Sequence, residues 1–414
     1  SVVRWYAKSS GTTNDKSKFL PVTPEILKGC HYKGGFDTVS IYLQNNPDSH
    51  FFASKGLILG GSHSPSPLNR NAHCGDLSAV LLQNLNPLVN LIRVPDKKII
   101  LMDEWESKIK AIVESTWKTD VNSLSGVPSW MLVLIKAVLQ KTGSEYLTDV
   151  WPNMEVFFHG GISFEPYRDQ YKALIPSDRM HYMETYNASE GFFGLQDNPE
   201  EHSLLLMIDY SVFYEFIPIN EVGEEHPTVL PLEAVEVGKN YAMVITTSGG
   251  LWRYQIGDTV RFTSLYPHKF VISGRTKNFI NAFGEELMVD NADKAISRVC
   301  RQTGAKVKEY TAAPLFMLDK AKGRHQWMIE FEKMPPSLDD FASLLDKTLQ
   351  QLNSDYEAKR YKEISLQPLE IRVAREGTFY EWLRRKGKLG GQHKIPRLSN
   401  DRTFIEELGK ICDL

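Results

Sequence analysis

The feature that most constrains the fold of this 414-residue chain is a change of pattern at Met154. Upstream, residues 20–150 carry apolar side chains mainly at helical spacing. "LMDEWESKIKAIVESTW" places Leu101, Trp105, Ile109, Ile112, Val113 and Thr116 on one face. "PSWMLVLIKAVLQKTG" offers Ser129 as an N-cap and Gly143 as the residue that ends the last turn. Between these runs and the chain start, "GGSHSPSPLNRNAHCG" has the Gly, Pro, Ser and Asn of a loop. Downstream, "MEVFF", "LLLMI", "YAMVITT" and "KFVIS" are short β-rich runs divided by Gly, Pro and charged turns. Helices followed by strands predict an α/β body with mixed sheets.

A domain boundary is expected near "ISGRTKN", with a large α/β domain over 1–274 and a smaller α+β domain over 278–414, joined by a hinge. In the smaller part, "DNADKAISRVCRQTG" predicts a helix capped by Asp290 and stopped by Gly304. "SLDDFASLLDKTLQQLN" opens on a Ser337/Asp340 capping pattern and aligns Leu338, Phe341, Leu345, Leu349 and Leu352. "APLFML", "HQWMIEFE" and "ISLQPLEIRV" supply its strands.

A hydrophobic content of 42% is far from a disordered composition, and a net charge of -3 argues against nucleic acid as the main partner. Cys30, Cys74, Cys300 and Cys412 are scattered without CxxC spacing, which suggests free thiols in a reducing, cytoplasmic setting. The most apolar helical run, "WMLVLIKAVL", is short and broken by Lys136, so it predicts a core helix rather than a membrane span. No charged n-region and apolar h-region opens the chain, and no secretory signal is expected. Its first polar motif begins only eight residues after Ser1, and an N-terminal portion is expected upstream.

Four stretches carry candidate chemistry. In "SSGTTNDKSK", backbone N–H groups around Gly11 can form an anion nest, with hydroxyls from Ser9, Ser10, Thr12 and Thr13 and charge from Lys16 or Lys18. It is not a Walker sequence, and such a cluster is more often an ordinary turn. In "MHYMETYNASEGFFG", Glu190 can offer a hard oxygen to Mg²⁺ beside phosphates, and Tyr186 a ring for an adenine. The bland alternatives are a solvated loop carboxylate and a core-edge aromatic. In "LWRYQIGDTVRF", Asp258 follows Gly257 at a turn, where a carboxylate can accept from ribose hydroxyls. In "FFHGGISFEPY", His159-Gly160-Gly161 ends a strand and lets a ligand approach the backbone; His159 is more often structural than a base.

Each stretch alone is weak, but "SSGTT", "YNASEG", "RYQIGD" and "SGRTK" occur in that order, and the chain closes on "GTFYEWLRRKGKLGGQHKIPRLSN". This resembles the adenylate-forming superfamily of acyl-CoA synthetases, peptide-synthetase adenylation domains and luciferases. More closely, it resembles a bacterial-type version of the acyl-acid amido synthetases of the auxin-responsive Gretchen Hagen three family. The departures are the missing glycine after "SSGTT" and His393 where the plant enzymes tend to have tyrosine.

The resemblance implies that Ser9, Ser10, Gly11, Thr12, Thr13 and Lys18 hold ATP phosphates, that Gly161 lines the adenine and that Tyr186 stacks on it. It implies Glu190, next to Ser189, as the Mg²⁺ ligand and Asp258 as the ribose acceptor with Arg275 nearby. Lys277 matches the hinge position, and Lys394 a mobile lysine that reaches the reacting phosphate. The implied activity is ATP- and Mg²⁺-dependent conversion of a carboxylic acid to an acyl-adenylate, then transfer to an amine such as an amino acid. Alternatives are an acyl-CoA ligase with a thiol acceptor and a non-catalytic nucleotide-binding protein.

Overall fold

The computed structural model describes residues 3–9, 18–61, 63–65, 72–165, 167–276, 279–280, 282–283, 285, 287–316, 323–360, 366–387, 389 and 395–413. A mixed sheet of twelve strands is its backbone. On one flank, Arg93–Val94, Lys55–Ile58, Val121–Gly126, Val156–Gly160 and His181–Ala188 lie side by side in parallel. On the other, Gly191–Leu195, Leu204–Leu206, His268–Arg275, Tyr254–Leu265, Asn240–Thr247, Val212–Pro218 and Leu230–Pro231 continue the sheet antiparallel.

The parallel flank is covered on one face by the helices Trp105–Thr116 and Pro128–Thr142. Their apolar stripes meet Leu57, Leu124 and Phe157 in one core. A second core joins Ile26, Leu27 and Tyr42 to Phe192, Phe193 and the antiparallel strands. A separate four-stranded sheet pairs Trp5–Ser9 with Lys18–Val22 and His73–Gly75.

The smaller C-terminal unit has a sheet of Lys306–Phe316, Gly323–Lys333 and Glu370–Ala374. The helices Val289–Thr303 and Leu338–Leu352 share one core with it, and Thr378–Arg385 and Thr403–Cys412 another.

Several expectations need correction. Residues 20–150 are mainly helical as expected, but strands that the pattern did not show also run through them at Lys55–Ile58, His73–Gly75, Arg93–Val94 and Val121–Gly126. Ser129 is not the N-cap of its helix: Val127 is, and Pro128 takes the first position, where a missing N–H costs nothing. Asp290 sits in the first turn of its helix after Met288 as cap, and its carboxylate pairs with Arg261 at 3.1 Å. The stops hold, with Gly143 and Gly304 left-handed at φ +71° and +69°. Ser337 also caps as expected, its Oγ accepting from Asp340 N at 3.2 Å.

Candidate active site

A cavity of about 1850 Å³ opens where the parallel strands end. Its wall takes in Ile58 and Leu59, Ser125 and Gly126, Gly160 and Gly161, and Ala188 through Glu190. Crevices beyond the carboxyl ends of parallel strands are where α/β sheets bind ligands, since loops diverge there and leave room.

Glycine shapes this rim. A Cβ on Gly160 would stand 2.3 Å from the carbonyl oxygen of Thr185, so only glycine lets the two strands close there. Gly161 then turns the chain with φ +85°. His159 just before them is buried against Phe164, ring centroids 4.2 Å apart. Burial, followed by the charge of Arg168, pushes its pKa down to about 3, so its imidazole stands neutral in the wall.

Across the rim, Asp258 and Arg275 face each other on adjacent antiparallel strands, Arg275 Nε donating to Asp258 Oδ1 at 2.9 Å. Tyr186 reaches over from its own strand and donates its hydroxyl to Asp258 Oδ2 at 2.5 Å. Its ring packs edge-on against Phe193 and Phe270 and lines the cavity. The approach is made possible at Gly257. Ala242 pairs with Thr259 and Val244 with Gln255, so the single residue Met243 faces three residues, and Gly257 bulges with φ +88°. Bulges of this kind re-aim a side chain.

Glu190 is 8% exposed. Burial foremost, and then the charge of Asp258, raise its pKa to about 7, against the opposing pull of Arg275 and Lys18. Lys18 Nζ donates to Tyr254 Oη at 3.0 Å over that ring. Ser189 lines the cavity beside Glu190.

The structure thus brings Gly161, Tyr186, Ser189, Glu190, Asp258 and Arg275 to one cavity, with Lys18 at its edge. Ser10, Gly11, Thr12, Thr13, Lys277 and Lys394 lie outside the described residues, as does the side chain of Ser9. The strands flanking residues 10–17 are paired, Ser9 opposite Lys18, and Lys8 lines the cavity.

Two features escaped the sequence. Glu184 lies two residues before Tyr186 on the same strand and lines the cavity. Burial, reinforced by Asp290 and opposed by Arg168, raises its pKa to about 7. Period-two spacing from Tyr186 was the available signal. The second is Arg397 of the C-terminal unit, which pairs with Glu309 at 2.9 Å and donates to Tyr167 Oη at 2.9 Å.

The GH3 family N-terminal domain matches residues 1–180, its central domain residues 205–275 and its C-terminal domain residues 290–403. The chain belongs to the GH3 family. Indole-3-acetic acid-amido synthetase GH3.4 of Arabidopsis thaliana is 28% identical over 95% of this chain and 68% of its own length. GH3.3 of the same plant, also named an indole-3-acetic acid-amido synthetase, is 30% identical over 63% of this chain and 46% of its own length. The 4-substituted benzoates-glutamate ligase GH3.12 is 27% identical over 75% of this chain and 59% of its own length. This GH3 chain therefore spans about half to two thirds of these relatives.

Among solved structures, a GH3.15 acyl acid amido synthetase superposes with TM-score 0.77 at 18% identity, covering 99% of this chain and 81% of that one. A 2-hydroxyisobutyryl-CoA ligase in the postadenylation state gives 0.58 at 12%, covering 99% and 76%. At such identities the likeness establishes the fold: a large N-terminal α/β domain and a smaller C-terminal domain. Among the described residues no helix is long and apolar enough to cross a membrane.

Proposed function

We propose that this GH3 chain activates a carboxylic acid with ATP and passes the acyl group to an amine, an amino acid in the first instance. The observation that carries this is the meeting of Tyr186, Asp258 and Arg275 beside the buried Glu190, at the ends of parallel strands.

In the first step a carboxylate oxygen bonds to the α-phosphorus of ATP and the bond to pyrophosphate breaks, leaving an acyl-adenylate. The amine nitrogen then bonds to the acyl carbon, AMP departs with the bonding pair, and the amine loses a proton. Two anions must meet in the first step, so positioning and charge neutralisation supply most of the help. Asp258 suits a ribose: each oxygen is held by one protein donor, which fixes its aim and leaves a lone pair for a hydroxyl. Tyr186 and Gly161 would border the adenine, with Glu184 an added acceptor on the same strand. Ser9 to Thr13 and Lys18 would hold the phosphates, and Lys277 and Lys394 keep the hinge and phosphate roles that the resemblance gives them.

Among the described residues no group of three or more His, Cys, Asp or Glu side chains is arranged around a metal. Mg²⁺ carried largely by phosphates asks the protein for one or two carboxylates. Glu190 would be the ligand, its charge disfavoured by burial until a cation compensates it. When bound, Mg²⁺ would neutralise phosphate charge.

The test is product analysis by mass spectrometry with ATP, Mg²⁺, a panel of carboxylic acids and either amino acids or CoA. AMP with an amide is expected. A thioester with CoA and no amide from any amino acid would overturn the amine acceptor.

A further inference from the structure

The cavity extends well beyond the nucleotide-side cluster, along one face of the parallel flank. Arg93, Gly56 and Ser123 are neighbours across three strands and form one row of that face; Ile58, Ser125 and Phe158 form the next. All six line the cavity. Gly56 and the two serines leave the floor low, while Phe36, Phe52 and Val89 form apolar wall. The result is a corridor whose floor is low at Gly56, Ser123 and Ser125 and bordered by Ile58 and Phe158. It runs across four strand spacings, about 19 Å, between the strand of Tyr186 and Arg93.

Arg93 at its far end is unusual. It is 6% exposed, yet no carboxylate of the described residues forms an ion pair with it. Nη1 donates to Pro95 O at 3.1 Å and Nη2 to Asn90 Oδ1, while Nε has no partner among the described residues. Two of the five guanidinium donors are thus used. Asp96 acts on it only at longer range. Buried charges are ordinarily paired, and arginine's planar fork matches an oxyanion.

We propose that Arg93 marks a second anion subsite, so that the acid this chain takes is elongated and carries an oxyanion, a carboxylate in the simplest case, at the end remote from the activated carboxyl. The low floor admits the chain of such an acid, the apolar wall covers its methylenes, and the guanidinium receives its far end. This rests on the acyl-activation reading above and names its substrate class.

The test uses the full chain and exchange of labelled pyrophosphate into ATP, with linear α,ω-dicarboxylic acids set against monocarboxylic acids of equal length. The diacid of best length should exceed its monoacid by at least about tenfold in kcat/KM, as a charge-assisted pair allows. Arg93→Gln should abolish that ratio, and Ser123→Val, which raises the floor, should shift preference toward shorter acids. Monoacids equal to or better than diacids at every length, or an equal loss in both series with Arg93→Gln, would overturn the subsite. If no acid supports exchange, the activation reading fails separately. Thermal shift then reads the subsite: a Tm rise with diacid in the parent but not in Arg93→Gln supports it, and no rise in the parent overturns it.

Discussion

A carboxyl as deeply placed as that of Glu190 keeps its proton up to about pH 7, whereas a metal ligand must be ionised. Its folded pKa lies above the ordinary 4.5, so between about pH 4.5 and 7 the folded chain holds a proton that the unfolded chain has lost. Stability therefore falls as pH rises through that window and levels off above it. The cost is of order 3 kcal/mol. Glu190→Gln keeps the shape and removes the charge. Calorimetric melts should show it more stable than the parent at pH 8, by a margin that shrinks toward pH 5, while its affinity for Mg²⁺ with ATP falls. Equal margins at both pH values would show that the fold does not oppose this charge. Asp258 makes the complementary case. It accepts from Arg275 and Tyr186, so Asp258→Ala leaves both donors without that partner and should cost about 1–3 kcal/mol while the chain still folds. It should also weaken ATP binding about ten- to hundredfold, the worth of charged hydrogen bonds. Titration calorimetry checks this, and unchanged affinity would withdraw the ribose assignment.

At the level of elements, the site depends on irregularity in otherwise regular strands. Gly257 has space for a methyl group, its nearest neighbours standing 3.7 and 3.8 Å from a built Cβ, but its φ of +88° disfavours any side chain. Gly257→Ala should therefore cost about 1–2 kcal/mol and, by relaxing the bulge, reduce ATP affinity although no ligand contact is removed. Loss of stability with unchanged affinity would show that the bulge does not aim Asp258. The same irregularity explains what the sequence revealed. "RYQIGD" and "YNASEG" stood out because a glycine punctuates each run beside a polar group. The strands Lys55–Ile58 and Val121–Gly126 did not, because their cavity face carries Gly56, Ser123 and Ser125. Small side chains at these floor positions blur the apolar/polar alternation that betrays a strand. Lys108 was hidden in the opposite way, a charged residue on the buried face of its helix whose Nζ donates to Gly60 O and Gly61 O.

Over the whole molecule, the C-terminal unit is tied to the cavity rim by polar contacts. Arg397 joins Glu309 to Tyr167, and Ser297 and Arg301 both donate to Glu165. The surface pair Lys136–Glu332 adds little, since exposed ion pairs are worth at most about 1 kcal/mol. Arg397→Met should cost about 2–3 kcal/mol and raise hydrogen exchange in both Tyr167 and the strand Lys306–Phe316. Unaltered exchange in both would show that Arg397 does not hold the units together. Contacts between residues so distant in sequence leave no trace in periodicity. The order of the motifs, through the family they resemble, made the site legible, while the contacts of Arg397 became visible only in three dimensions and Glu184 was marked only by its period-two spacing from Tyr186.

The central claim, that separate turns of this chain converge on one nucleotide and drive acid activation, is tested most directly by carboxylate-dependent exchange of labelled pyrophosphate into ATP, measured in parent and Asp258→Ala. Exchange that requires both an acid and Mg²⁺, and that drops in the variant, is the predicted result. No exchange with any acid across a broad panel, from parent protein that binds ATP, would contradict it.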